Sequence, residues 1–149
     1  MKPDTLWEIV EGCETFESFC KGMVPAFQND DRIPNEIRRK LERIQKLIAH
    51  SYYEYDFIDV ALLQAFHTLE FALHLKYKSV YPNKKGLENL KPHLDWAVRV
   101  KYISLYQNKM ISELRNHLAH QKEESVMGTV GVRFIKAMVE LISNLFIIY

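Results

Sequence analysis

Cysteine is nearly absent from this chain, glycine and proline are sparse, and neither sign of charge dominates. Each shortage excludes something. Cys13 and Cys20 stand seven residues apart. On a helix they would share a face yet sit too far apart along the axis to bond, so no disulfide framework is available. Two isolated thiols, with Asp4, Glu8 and Glu11 breaking up any signal-like apolar stretch, predict a reducing, cytoplasmic setting. The five glycines and five prolines fall between periodic runs, which predicts helices joined by short loops. A formal net charge of +1 gives no overall field to attract a polyanion. The most apolar stretch, Phe134 to Tyr149, is interrupted by Lys136 and Glu140. It is also shorter than the roughly 20 residues of a membrane span, so it reads as a buried helix. There is no Cys pair at zinc spacing, no His-Glu-x-x-His, no glycine-rich phosphate loop and no nucleophile elbow. No metal or other cofactor is therefore expected.

What remains is an ordinary globular balance, 48% hydrophobic and 26% charged over 149 residues, which suits a single core. Asp4 can cap a first helix with Leu6, Ile9, Val10, Cys13 and Phe16 on one face. Gly22 to Pro34 reads as a loop. Pro34 then opens a helix in which Ile37, Leu41, Ile44 and Ile48 recur at helical spacing. A long helix follows from about Tyr53 to Tyr81, with Val60, Leu63, Phe66, Leu69, Leu73 and Tyr77 as its stripe. A shorter helix covers Leu87 to Val98, with Pro92 as an irregularity in its middle. The segment "YISLYQNKMISELRNHLAH" starts the next. Gly128 and Gly131 break the chain before a last helix, Val132 to Ile148, with Phe134, Ala137, Met138, Leu141, Leu145 and Ile148 inward. The ending "ISNLFIIY" is the one stretch that could also be a strand. The expected fold is all-α, a bundle of five to six helices.

Charge is uneven along the chain. Residues 1–31 carry two basic and seven acidic side chains, residues 32–50 six and two, and residues 76–101 seven and two. This divides the sequence into an acidic N-terminal helical extension, 1–31, and a helical domain, 32–149, within one globular unit. Solvated helix faces account for most charge runs. The basic residues Arg38, Arg39, Lys40, Lys76 and Lys78 are nonetheless candidates for holding an RNA backbone, as are Lys84 and Lys85. Tyr52, Tyr53 and Tyr55 are candidates for base stacking or, more in keeping with their density, for a core edge.

Concentrated chemistry occurs once, in Arg115-Asn116-His117-Leu118-Ala119-His120. At about 100° per residue Asn116 and His120 share a helix face, with Arg115 beside it. Arg offers a planar fork of donors for a phosphate, His exchanges a proton near neutrality, and Asn can hold a hydroxyl or phosphate oxygen. That set matches metal-free RNA cleavage, in which the ribose 2′-OH is the nucleophile. One His is awkward for two proton transfers, and two motif helices facing across a two-fold axis would supply two. The competing explanation is structural: Arg115 and His120 would pair with carboxylates or helix carbonyls at a helix C-terminus, where cations are favoured. His67 and His74, two turns apart with Glu70 between them, read as a partly buried helix face rather than ligands.

"LRNHLAH", late in a small all-α chain, resembles the signature of the HEPN (higher eukaryotes and prokaryotes nucleotide-binding) domains. Their motif is Arg, a polar residue such as Asn, and a His after four intervening residues. "VALLQAFHTLEFALHLKYKSVY" is similar to the long family helix that carries an acidic residue, here Glu70. "LENLKPHLDWAVRV" resembles the short helical stretch before the motif helix. The resemblance covers roughly Pro34 to Tyr149. It implies a metal-independent endoribonuclease that acts as a homodimer and leaves a 2′,3′-cyclic phosphate. Such proteins are often toxins or antiphage effectors held by a cognate antitoxin or regulatory protein. It implies Arg115 as phosphate stabiliser, His120 as acid/base and Asn116 as orienting group, with Glu70 as candidate support; His117 falls at a variable position of the pattern, a candidate for touching RNA but more in keeping with a solvent-facing side chain. Some family members are instead non-catalytic helical modules that bind a partner protein or nucleotide. Members silenced by tyrosine modification carry a Tyr two residues after the motif His. Here Gln121 and Lys122 follow, so that feature does not carry over.

Overall fold

The one-sided stripe of Ile37, Leu41, Ile44 and Ile48 forms as its spacing dictates: all four side chains are fully buried, each contributing about 1.5–3 kcal/mol of gross burial. In the computed structural model, which describes residues 2–10, 12–120 and 128–149, they lie on α2, Asn35–His50. The other helices are α1 (Phe16–Met23), α3 (Phe57–Val80), α4 (Leu90–Arg99), α5 (Leu105–His120) and α6 (Gly128–Ile147). The architecture is all-α, with no strand among the described residues. The "ISNLFIIY" ending is helical up to Ile147. The long helix α3 is the centre. It packs against α2, α4 and α6, while α1 lies on α2 and α5 on α4. Two buried hydroxyls are satisfied within their own helices: Thr68 donates to the Gln64 carbonyl at 2.7 Å and Ser143 to that of Val139 at 2.8 Å.

The N-terminal segment departs from the expected single helix. Asp4 does cap, with its carboxylate accepting from the Leu6 N–H, but what it caps is one 3-10 turn, Thr5–Trp7. Gly12, at a φ of 86°, sits in the left-handed region that ends any continuation. Thr15 and Ser18 then open α1 with a reciprocal capping box. The expected face is consequently wrong in part: Leu6, Ile9 and Phe16 are exposed, while Cys13, buried as expected, is joined by Trp7 and Phe19. These three join the same core as α2, α3 and α6. The Trp7 indole N–H donates to the Ser51 carbonyl at 2.6 Å, and the Tyr55 amide donates back to Asp4 at 3.0 Å. The described residues of 2–31 are thereby woven into the bundle, despite the acidic composition of the segment.

Three other expectations are corrected. On α3, Val60 and Leu63 face solvent, and Ile58, Ala61, Leu62 and Ala65 are buried in their place; Phe66, Leu69, Leu73 and Tyr77 are buried as expected. Helix α4 starts three residues later than expected. That puts Pro92 third in the helix, where its missing N–H costs no intrahelical bond, so it causes no irregularity. Gly128 and Gly131 lie inside α6 and are buried there rather than breaking it, and Ala137 and Ile148 face outward. Gly128 is held by its surroundings. Its amide donates to the Tyr55 hydroxyl, and a Cβ there would collide with that phenol.

Candidate functional site

Helix α5 is positioned from its N-terminal end. The Ser104 hydroxyl accepts from the Gln107 amide at 3.1 Å and the Gln107 side chain accepts from the Ser104 amide at 2.8 Å, a capping box that starts the helix. Asn108 then donates to Asp95 of α4 at 3.1 Å. Only Ile111 on this helix is fully buried. Leu114 and Leu118, three and seven residues on, pack half-buried against the core. With this face inward, the helical advance of about 100° per residue carries Asn116 and His120 to the opposite side and leaves Arg115 at its flank.

Arg115, Asn116, His117 and His120 are all exposed. Among the described residues none of them has a hydrogen bond or ion pair; the ion pair on this helix is Lys109 with Glu113, at 3.9 Å. The structural explanation required carboxylates or carbonyls for Arg115 and His120; the described residues provide no such side-chain partner, and Glu123 and Glu124 lie outside the described residues. His117 points to the other flank from Arg115. Gln121 and Lys122 lie outside the described residues.

Glu70 is brought elsewhere. With His67, Phe71, His74, Leu87 and His93 it lines an open depression of about 340 Å³ to which α5 contributes nothing. His93 is the residue that sequence reasoning missed here. It is 1% exposed, and its Nδ1 donates to the Asn89 carbonyl at 2.7 Å, which leaves Nε2 a bare lone pair without a partner among the described residues. Burial lowers its pKa, opposed by the Asn89 bond, while nearby His74 adds to the lowering and Glu70 works against it. The signal that could have found it is Asn89 four residues earlier at a helix start. Gly86 makes room for the His74 ring: a Cβ there would lie 2.6 Å from its Cε1. Among the described residues no group of three or more His, Cys, Asp or Glu side chains could hold a metal, and no described helix is long and apolar enough to cross a membrane.

Most of the candidate RNA-binding cations have work inside the chain. Arg38 donates to Asn29 at 3.0 Å and to Asn35, and reaches Asp31 at 3.5 Å, tying down the loop before α2. Lys40 lies 5.3 Å over the Phe71 ring and Lys76 5.8 Å over that of Tyr102. Lys78 donates to the Lys84 carbonyl at 2.7 Å and closes the turn after α3. Arg39 alone of these five is fully exposed on its helix. The tyrosines take the core-edge role: Tyr52 is buried, Tyr53 stacks on Phe16 and Tyr55 touches Trp7.

No protein-family model, curated protein or solved structure matches this chain.

Proposed function

We propose that the chain is a HEPN-like, metal-independent endoribonuclease, with Arg115, Asn116 and His120 as half of an active site completed by a second copy. One observation carries the reading. Asn116 and His120 lie on the outward face of an exposed helix and Arg115 on its flank, all three without a side-chain partner among the described residues, whereas Arg32, Arg38 and Lys78 are bonded within the chain. Three polar groups within six residues of one helix, with no partner among the described residues, suit a site that waits for a polyanion and a second protomer. Leu105 and Tyr106, exposed on the same helix, offer apolar surface for that second copy.

In this reading Arg115 binds the scissile phosphate and stabilises the charge of the phosphorane. Asn116 orients the ribose or a phosphate oxygen. His120 of one protomer takes the 2′-OH proton as the 2′-oxygen attacks phosphorus, and His120 of the other gives a proton to the departing 5′-oxygen. A 2′,3′-cyclic phosphate and a 5′-hydroxyl end result. Each acid–base step contributes about 10²–10⁴-fold, and a fixed Arg a factor of similar order. A toxin or defence effector held by an antitoxin or regulator is the physiological setting that fits.

The test is RNA cleavage by purified protein in EDTA. Arg115→Ala and His120→Ala should each lose about 10²-fold or more. Both should melt within about 2 °C of the parent, because exposed surface changes of this kind cost under about 0.5 kcal/mol. Equal cleavage by parent and variants would refute the assignment. A parent that never cuts RNA yet captures a partner protein through α5 would establish the alternative, a non-catalytic helical module.

A further inference from the structure

Three of the seven basic residues in 76–101 converge where the sequence did not predict it. Lys84, Lys91 and Arg99 line a depression of about 550 Å³ between the end of α3 and α4, with Tyr81 and Trp96 forming its aromatic wall. Lys91 and Arg99 are two turns apart on α4 and so share a face. None of the three cations has a carboxylate within ion-pair distance among the described residues. Asp95, the one acid of the lining, is engaged by Asn108. Lys84 sits 4.3 Å over the Tyr81 ring and holds positive charge against that face. Trp96 is 3% exposed and packs edge-on to the Tyr77, Tyr81 and Tyr102 rings, and its indole N–H has no hydrogen-bond partner among the described residues.

Three cations against the single carboxylate of Asp95, set around aromatic rings, match the chemistry of a nucleotide: phosphate on Lys91 and Arg99, base against Tyr81 where the Lys84 ammonium sits. We propose that this depression is a docking site for one nucleotide unit of single-stranded RNA, separate from the Arg115–His120 site. It deepens the ribonuclease reading by adding a place to hold the strand, but binding there does not require cleavage. The Asp95–Asn108 bond fixes its position relative to the motif. From Asn108 to His120 is twelve residues of α5, about 18 Å along the axis, so a strand touching both in one chain must be several nucleotides long.

The experiment is fluorescence anisotropy with the full chain and a short, labelled 2′-O-methyl oligoribonucleotide, which lacks the attacking hydroxyl. Lys91→Ala/Arg99→Ala alters only exposed side chains. It should weaken binding about tenfold or more and lower the slope of log affinity against log salt by about 1 to 1.4. Arg115→Ala should abolish cleavage of ordinary RNA while the Lys91 and Arg99 contribution to binding remains. Tight binding that depends on Lys91 and Arg99 in a protein that never cuts RNA upholds the docking site and refutes the nuclease. Cleavage that depends on Arg115, with oligonucleotide affinity in the double variant within twofold of the parent, does the reverse. Failure of the parent chain to bind the oligonucleotide also overturns the proposal. So does saturation of the depression by AMP that the oligonucleotide cannot displace, which would make a free nucleotide the occupant.

Discussion

Replacing Trp7 with Ala separates a structural N-terminal segment from a detachable acidic cover. The indole is 1% exposed, with Phe19 and Tyr55 rings 4.9 and 5.0 Å away, and its N–H reaches the Ser51 carbonyl. Removing such a ring leaves a cavity that neighbours refill only in part, which costs about 3–5 kcal/mol. Loss of the indole donor to the Ser51 carbonyl belongs to the same change and sets the estimate at the upper end of that range. In a domain of this size each kcal/mol moves Tm by about 2–4 °C, so a loss near 4 kcal/mol lowers Tm by about 8–16 °C. Typical domains have only about 5–15 kcal/mol to lose. Trp7→Phe, which keeps a ring but not the N–H, should cost about 1–3 kcal/mol. Thermal unfolding by far-UV circular dichroism measures both, and Trp96, then the one remaining tryptophan, reports tertiary structure by fluorescence. If Trp7→Ala melts within about 2 °C of the parent, residues 2–31 are not part of the cooperative unit and the packing argument fails. Deletion of residues 1–31 would then raise RNA affinity by uncovering basic surface, whereas the woven arrangement predicts a chain without a cooperative transition.

Other outcomes follow from particular contacts. Gly128→Ala drives a methyl into the Tyr55 phenol and should cost about 1–3 kcal/mol, seen as a lower Tm; an unchanged Tm would mean that Tyr55 does not sit there. Lys101, at a φ of 64°, occupies the left-handed position of a Schellman turn, with its amide on the Val98 carbonyl and that of Tyr102 on Ala97. Lys101→Gly should therefore stabilise by up to about 1 kcal/mol, a gain of roughly 2–4 °C that a melting curve resolves. His93 has a pKa below its unfolded value because it is buried, so the unfolded chain binds the extra proton more readily. Its contribution is neutral above the unfolded value of about 6.5 and turns destabilising as pH falls through and below it. Tm measured from pH 7.5 to 5 should fall, and less steeply in His93→Asn; identical slopes would exclude His93 as the cause.

The legible parts of the fold were those in which one face is apolar and the other is not. On α2, with Arg39, Arg43 and Lys46 outward and Ile37, Leu41, Ile44 and Ile48 inward, pattern and burial coincide. On α3 the apolar residues run round most of the helix because α2, α4 and α6 surround it, so periodicity could not select Ile58 and Leu62 over Val60 and Leu63. In the N-terminal segment the apolar spacing imitated a helix, and the decisive residues were Gly12 and the Thr15–Ser18 box.

Spacing alone put Asn116 and His120 on one face with Arg115 at its flank, because a helix of fixed pitch leaves no other arrangement. It likewise determined the all-α class and the Ile37–Ile48 seam. Which side of α5 meets the core, and hence that Asn116 and His120 face outward with Arg115 exposed at the flank, was decided by Ile111, Leu114 and Leu118 settling against residues distant in sequence. The same holds for the cations. Lys91 and Arg99 were left beside Tyr81 and Trp96 with no ion pair among the described residues, while Arg38 and Lys78 were bonded to loops, by contacts that form only once the chain has folded. Local pitch is a property of the backbone, but a charge becomes available or committed according to what the rest of the molecule brings within its reach.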